Sequence, residues 1–324
     1  MSAELTELVD IDAPALQGIA IERLSDGKNR ITISLPGYIA RRELVTSYPE
    51  WLIRRVAALR GAWTCDEIAR EESPNYTAAA VRGTMLAYLP DEASFSGATI
   101  LDFGCGAGAS TVSLCRSFPT AHVVGVEMEE RYLDVARGRF DFYGLKNVEV
   151  HVSPSGLEIP PGLGPFDFIM MSGVFEHLLP EERRSLMPRL WDVLEPGGVL
   201  FLRETPHRWF PIESHTTGMP LLGYLPDWLA CRVANLSPRT KGATWPQLLR
   251  QGVRGASLSE IRRLLPEATV LRPADGRDLI DLWYESTPKD RASFGKRCTR
   301  DVLKAAKAVG IELPPYLEIA LKKP

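Results

Sequence analysis

The stretch Ile100-Leu101-Asp102-Phe103-Gly104-Cys105-Gly106-Ala107-Gly108-Ala109-Ser110 limits the chain to few architectures. An apolar strand runs into three closely spaced glycines and then into a helical pattern that continues to Phe118. Glycines here let the backbone turn through conformations closed to other residues and press against a ligand. A second apolar run, Val123-Val124-Gly125-Val126, ends on Glu127. That acid lies roughly twenty residues past the first glycine, where a ribose-binding carboxylate is expected. Together they imply a pocket for a nucleoside-containing cofactor beyond the carboxyl ends of parallel strands.

Two readings of the loop compete. As Gly104-x-Gly106-x-x-Ala109 it satisfies the relaxed dinucleotide fingerprint and implies an NAD(P)-dependent oxidoreductase. As Asp102-Phe103-Gly104-x-Gly106-x-Gly108 it resembles the first motif of class I S-adenosyl-L-methionine (SAM)-dependent methyltransferases. The downstream sequence decides between them. Glu127-Met128 resembles the family's ribose and adenine contacts, and Ser153-Pro154-Ser155-Gly156 stands where the family has Gly-Asp-Ala. The run Phe166 to Ser172, continued by Gly173-Val174-Phe175-Glu176-His177-Leu178, resembles the fourth strand and the Glu-His-Leu of small-molecule methyltransferases. Glu195-Pro196-Gly197-Gly198 and the run to Leu202 resemble the turn and fifth strand. Nicotinamide dehydrogenases share only the first two motifs. The resemblance covers roughly residues 97–205.

It implies that Asp102, Gly104, Cys105, Gly106 and Gly108 form the cofactor loop. Glu127 would hold both ribose hydroxyls, Met128 would pack on the adenine, and Ser155, Gly156 and Ser172 would complete the site. Ser155 departs from the family's acid; a hydroxyl accepts a hydrogen bond without charge assistance. A SAM-binding subunit without turnover is the alternative this departure opens.

Methyl transfer from a sulfonium needs alignment more than activation, but an oxygen acceptor needs a base near its proton. His177, which follows strand four and titrates in the useful range, is the first candidate, with Glu176 beside it. His215 and Glu213, in a later segment, are alternatives, and His207 is expected near the mouth. His122 and His151 are expected to be structural. The five histidines show no metal-ligand spacing, so no metal is expected. The expected reaction is O-methylation of a small-molecule or glycan-type acceptor.

A net charge of −3 argues against a nucleic-acid binder, which needs a basic face. Five scattered cysteines without a CxxC pair suit reduced thiols in a cytoplasm. The start, Met1-Ser2-Ala3-Glu4-Leu5, reads as no signal peptide, and no apolar run is long enough to span a bilayer.

The expected fold is α/β, a Rossmann-like doubly wound sheet, mostly parallel with an antiparallel last strand. Residues 1–95 form an extension: a hairpin from Ile19 to Ile33 turning at Asp26-Gly27, then helices, one opened by a Thr64-x-x-Glu67 capping box. Residues 96–324 form the cofactor domain. Glu129 to Tyr143 reads as a helix stopped by Gly144, and the helix begun at Pro180 is expected to bend or shorten at Pro188. An insertion rich in Pro, Trp and Leu spans about 205–255, after strand five. Its aromatics (Trp209, Phe210, Tyr224, Trp228, Trp245) read as an acceptor lid or as packing. Its stretch from Leu221 to Leu236 is mildly amphipathic, a conceivable lipid contact. A sixth strand at Ala268 to Leu271 and a last one at Pro315 to Leu321 complete the sheet.

Overall fold

The computed structural model describes residues 18–35, 39–286 and 293–324. The N-terminal stretch read for a leader lies outside the described residues. Strands β1 (Ile19–Arg23), β2 (Asn29–Leu35) and β3 (Ile39–Thr46) come first, then helices α1 (Glu50–Arg60), α2 (Thr64–Glu72) and α3 (Thr77–Tyr88). The alternating portion runs β4 (Thr99–Phe103), α4 (Ala109–Ser117), β5 (His122–Glu127), α5 (Glu130–Tyr143), β6 (Val148–Val152), β7 (Phe166–Ser172), α6 (Pro180–Asp192) and β8 (Leu194–Pro206). Helices α7 (Asp227–Ala234), α8 (Trp245–Arg250) and α9 (Leu258–Leu264) follow. The chain closes with β9 (Thr269–Val270), α10 (Leu279–Glu285), α11 (Phe294–Ala308) and β10 (Tyr316–Lys322).

The larger sheet has seven strands in the order β6-β5-β4-β7-β8-β10-β9. The first five pair in parallel, and β10 runs antiparallel to both neighbours. This is the Rossmann-like sheet expected from strand–helix alternation. Side chains alternate across it with period two, so each strand feeds two cores. Leu101, Val124, Ile169 and Leu200 face Leu186 and Leu190 of α6. Ile100, Val123, Met170 and Phe201 face Met85 of α3 and Leu114 of α4. Every strand of the parallel centre is therefore buried on both faces, and its carboxyl edge is where backbone remains open to a ligand.

The expected hairpin forms as β1 and β2, and two other local expectations are corrected. The hairpin gains a third strand, β3, antiparallel to β2; its Arg41-Arg42-Glu43 run hides the period-two pattern behind paired surface charges. Thr64 does not cap α2: its hydroxyl donates to Gly61 C=O (2.6 Å), and Glu67 turns to Arg139 and Arg60. Pro188 neither ends nor shortens α6, because Leu186, Met187, Leu190 and Trp191 are buried on either side of it. Gly144 does stop α5, at φ +63°. The N-terminal sheet and α1 share a core with Ala107 of the glycine loop and Val135 of α5, so the extension packs directly against the cofactor region.

Candidate functional site

The glycine loop crosses the carboxyl end of β4. Gly104 and Cys105 N–H both donate to Val126 C=O, at 2.8 and 3.1 Å, locking the loop to β5. Gly104, Gly106 and Gly108 have φ of +74°, +53° and +85°. A Cβ on Gly104 would stand 2.5 Å from Val174 Cγ2, and one on Gly108 2.8 Å from Ala136 Cβ, so these two close the loop against its own protein. A Cβ on Gly106 would meet nothing within 4 Å. Gly106 instead lines an open cavity of about 300 Å³ together with Gly104, Cys105, Ser110, Ser172 and Gly173. The space left clear there is the cradle a cofactor backbone contact requires.

Glu127 stands at the end of β5. Its Oε2 accepts Gly106 N–H at 3.0 Å and its Oε1 accepts Met128 N–H at 2.7 Å. The carboxylate is thus oriented before any ligand arrives and keeps lone pairs for ribose hydroxyls. Met128 is exposed and its Sδ lies 2.9 Å from where a Gly156 Cβ would be, a flat apolar surface suited to an adenine ring. Ser155 is exposed, and its Oγ accepts Leu157 N–H. Ser172 Oγ accepts from Arg203 at the cavity wall.

Asp102 is a correction. It is buried beneath the loop, where Ser110 and Thr111 hydroxyls each donate to it at 2.7 Å, and it does not reach the cavity. It holds the loop. Cys105 does line the cavity, and burial pushes its thiol well above the ordinary range.

The opposite wall comes from elements that the sequence left unassigned. Arg60 of α1 and Glu67, Arg70 and Thr77 of α2 and α3 line the same cavity. Arg139 of α5, fully buried, donates to Ala107 C=O at 2.8 Å and pairs with Glu67 at 3.3 Å. The cavity therefore offers cations and an acid opposite the glycine loop, a match for the carboxylate and ammonium of a free amino-acid moiety. Glu204 lines it too, at φ +55°. A non-glycine residue in that conformation is strained, and such strain persists where the surroundings hold it. Here Glu204 N–H donates to buried Glu318 at 3.1 Å, while Arg203 beside it pairs with Glu318 at 3.2 Å.

Beyond Gly173 lie the candidate catalytic residues. A Cβ built on Gly173 would stand 3.8 Å from Glu176 Oε1 and 3.9 Å from Glu204 Oε2, so cofactor cavity and catalytic cluster adjoin. Glu176 is 1% exposed; Thr205 Oγ1 donates to its Oε2 at 3.4 Å, and its Oε1 has no hydrogen-bond partner. Burial raises its pKa to about 8. His177 Nδ1 donates to Arg250 C=O at 2.7 Å, which leaves the lone pair on Nε2, 3.8 Å from Glu176 Oε1. Its pKa is lowered by burial, as is that of His215. The rings of His177 and His215 lie 5.4 Å apart. His215 arrives on the insertion, in a loop turned by Glu213, whose carboxylate accepts the N–H groups of His215, Thr216 and Thr217 and the Thr217 hydroxyl. Glu213 thereby shapes the loop that carries His215. His207 is buried and lines a separate small cavity, not the cofactor cavity. His122 and His151 sit in β5 and β6 near Glu149.

Comparison with known proteins agrees with this geometry. Residues 100–198 match the family model described as a methyltransferase domain. Trans-aconitate 2-methyltransferase of Variovorax paradoxus is 35% identical over 111 residues, 34% of this chain and 40% of that protein. Carboxy-S-adenosyl-L-methionine synthase of Pectobacterium atrosepticum is 26% identical over 151 residues, 44% of this chain and 60% of that protein. The chain thus spans about half the length of the curated relatives it matches. Among solved structures, SAM-bound CalS10, an amino pentose methyltransferase from Micromonospora echinaspora, aligns with a TM-score of 0.34 at 30% identity, covering 43% of this chain and 54% of that one. Loop, carboxylate, sheet order and family match converge: residues 100–198 match a methyltransferase domain, and the cofactor that fits is S-adenosyl-L-methionine.

Proposed function

We propose that this chain moves the methyl group of SAM to a hydroxyl oxygen of a small-molecule or glycan-type acceptor held beside Glu176, His177 and His215. The observation that carries the reading is Gly173, which lines the cofactor cavity and whose Cβ position lies 3.8 Å from Glu176 Oε1. When bound, SAM supplies a methyl carbon on a positively charged sulfur, and transfer leaves S-adenosylhomocysteine. The glycine loop and Glu127 hold the nucleoside, and Arg60, Glu67 and Arg70 hold the amino-acid end. His177 Nε2, its tautomer set by Arg250 C=O, takes the hydroxyl proton as the oxygen–carbon bond forms and the carbon–sulfur pair returns to sulfur. Glu176 and His215 orient the acceptor's other polar atoms.

The insertion supports a sugar-like or acidic acceptor. A second cavity of about 400 Å³ is lined by Trp209 and Trp245 and by Arg184, Arg208 and Arg263. Aromatic faces stack on sugar rings and guanidinium groups pair with acids. Arg183 lines it as well and donates to Glu176 C=O at 3.3 Å, tying it to the catalytic cluster. The free cysteines fit a reducing compartment such as the cytoplasm. Among the described residues no helix is long and apolar enough to cross a membrane.

The test is mass spectrometry of cell extracts incubated with the protein and methyl-labelled SAM. One labelled acceptor is expected, with turnover reduced about a hundredfold or more in His177→Ala and S-adenosylhomocysteine affinity unchanged. Failure to bind S-adenosylhomocysteine would refute the reading; binding without label in any fraction would make this a cofactor-binding subunit instead.

A further inference from the structure

Three donor atoms meet beside the cofactor cavity that the sequence holds apart. One carboxylate oxygen of Glu176, one ring nitrogen of His177 and one of His215 all lie within 4.8 Å of one another. Glu176 and His177 follow β7, whereas His215 comes from the insertion after β8. Histidine spacing along the chain gives no metal signature, and the fold supplies what the spacing lacks.

We propose that Glu176, His177 and His215 bind a divalent transition cation that holds the acceptor's hydroxyl at the edge of the cofactor cavity. The donor set is two imidazoles and one carboxylate, a set that zinc, manganese, iron and cobalt accept. Ligands about 2.0–2.2 Å from one ion at tetrahedral angles stand roughly 3.3–3.6 Å apart, so donors within 4.8 Å of one another close on an ion by moving inward about an ångström. Glu176 is 1% exposed and its Oε1 lacks any hydrogen-bond partner. A buried carboxylate oxygen without a partner is costly unless something fills its coordination. His177 donates Nδ1–H to Arg250 C=O and turns the bare Nε2 inward, the arrangement that orients metal-ligating histidines. Arg250 is itself anchored by Glu182 at 2.6 Å. His215 is fixed by the Glu213 loop and by Gly252, where a Cβ would stand 2.6 Å from His215 Cδ2 and 3.3 Å from Glu176 Cγ. Glu204 Oε2 adds a second carboxylate facing the same side of Gly173. His177 keeps one side of the cluster open, its side chain 43% exposed, so an acceptor can complete the coordination.

The cation's role rests on the methyl-transfer function proposed above; its binding does not. With an ion in place, His177 Nε2 is occupied, the acceptor oxygen is polarised by the ion, and its proton leaves to solvent through the open side. His177→Ala stops turnover in either case, so activity alone does not separate the two.

Binding does. The full-length protein, stripped with EDTA, is titrated with CoCl2 by calorimetry and visible absorption, then with ZnCl2, and the same sample is titrated with S-adenosylhomocysteine. The expected result is one cobalt per chain at micromolar affinity or tighter, with ligand-field absorption that zinc abolishes. Glu176→Gln and His215→Ala should each weaken cobalt by at least about tenfold, while an unchanged S-adenosylhomocysteine affinity certifies their fold. Cobalt failing to bind, or binding equally to a His177→Ala/His215→Ala double variant, would overturn the site. If S-adenosylhomocysteine still binds in that outcome, the methyl-transfer reading stands. Cobalt bound without S-adenosylhomocysteine would leave the ion site and remove the methyl donor.

Discussion

The glycine loop and the Glu176–His177–His215 cluster adjoin at Gly173, yet they are built by opposite means. The loop is local: one strand, one turn and one helix start, with Glu127 entering from the next strand and bonding straight back to Gly106. The cluster is assembled: its third member rides on an insertion whose shape depends on Glu213, Gln251 and Gly252. The contrast separates a part set by backbone conformation, which admits few sequences, from a part set by side chains converging from distant elements. Such convergence lets acceptor chemistry vary while cofactor binding stays put.

Three variants test that contrast. The largest effect is expected at the support of the assembled side. Arg203 and Glu318 are both 1% exposed and pair at 3.2 Å between β8 and β10. Arg203→Met leaves Glu318 charged and unpaired, a loss of about 3–5 kcal/mol in a denaturant titration. A loss under about 1 kcal/mol would mean that Glu204 is held by something else. Next comes Glu127→Ala on the local side. It deletes charge-assisted hydrogen bonds and is expected to weaken S-adenosylhomocysteine by about ten- to a hundredfold in calorimetry. Equal affinity in that variant would take the ribose contact away from Glu127. The smallest effect belongs to Ser155→Asp, which offers a charged acceptor at the exposed adenine edge and should tighten S-adenosylhomocysteine by a few-fold, well under 1.4 kcal/mol. No change would place the adenine away from Ser155.

Much of the local side was legible in the residues. Strand, turn and helix order and the stop at Gly144 all follow from nearest-neighbour chemistry. Two of the errors share a cause. The polar groups of Asp102 and Glu67, which local patterns assign to ligand or cap, are held by partners elsewhere in the chain: the Ser110 and Thr111 hydroxyls under the loop and the buried Arg139. Thr64 turns instead to Gly61 C=O, one turn earlier. Glu204 carried no signal at all: its φ is +55°, and its N–H donates to Glu318, far away in sequence. Arg60 and Arg70 sit in an ordinary charged helical pattern, and only packing of the extension against Ala107 and Val135 brings them to the cavity.

From its residue order alone, this chain declared a parallel sheet with a cofactor loop at its edge, because glycine conformations, strand periodicity and helix stops act over a few residues and survive without context. Which charges face the ligand, and whether Glu176, His177 and His215 converge on one point, was decided only by the folded chain. Those positions depend on burial and on partners far away in sequence, and a single carboxylate or imidazole bears no mark of the company it will keep.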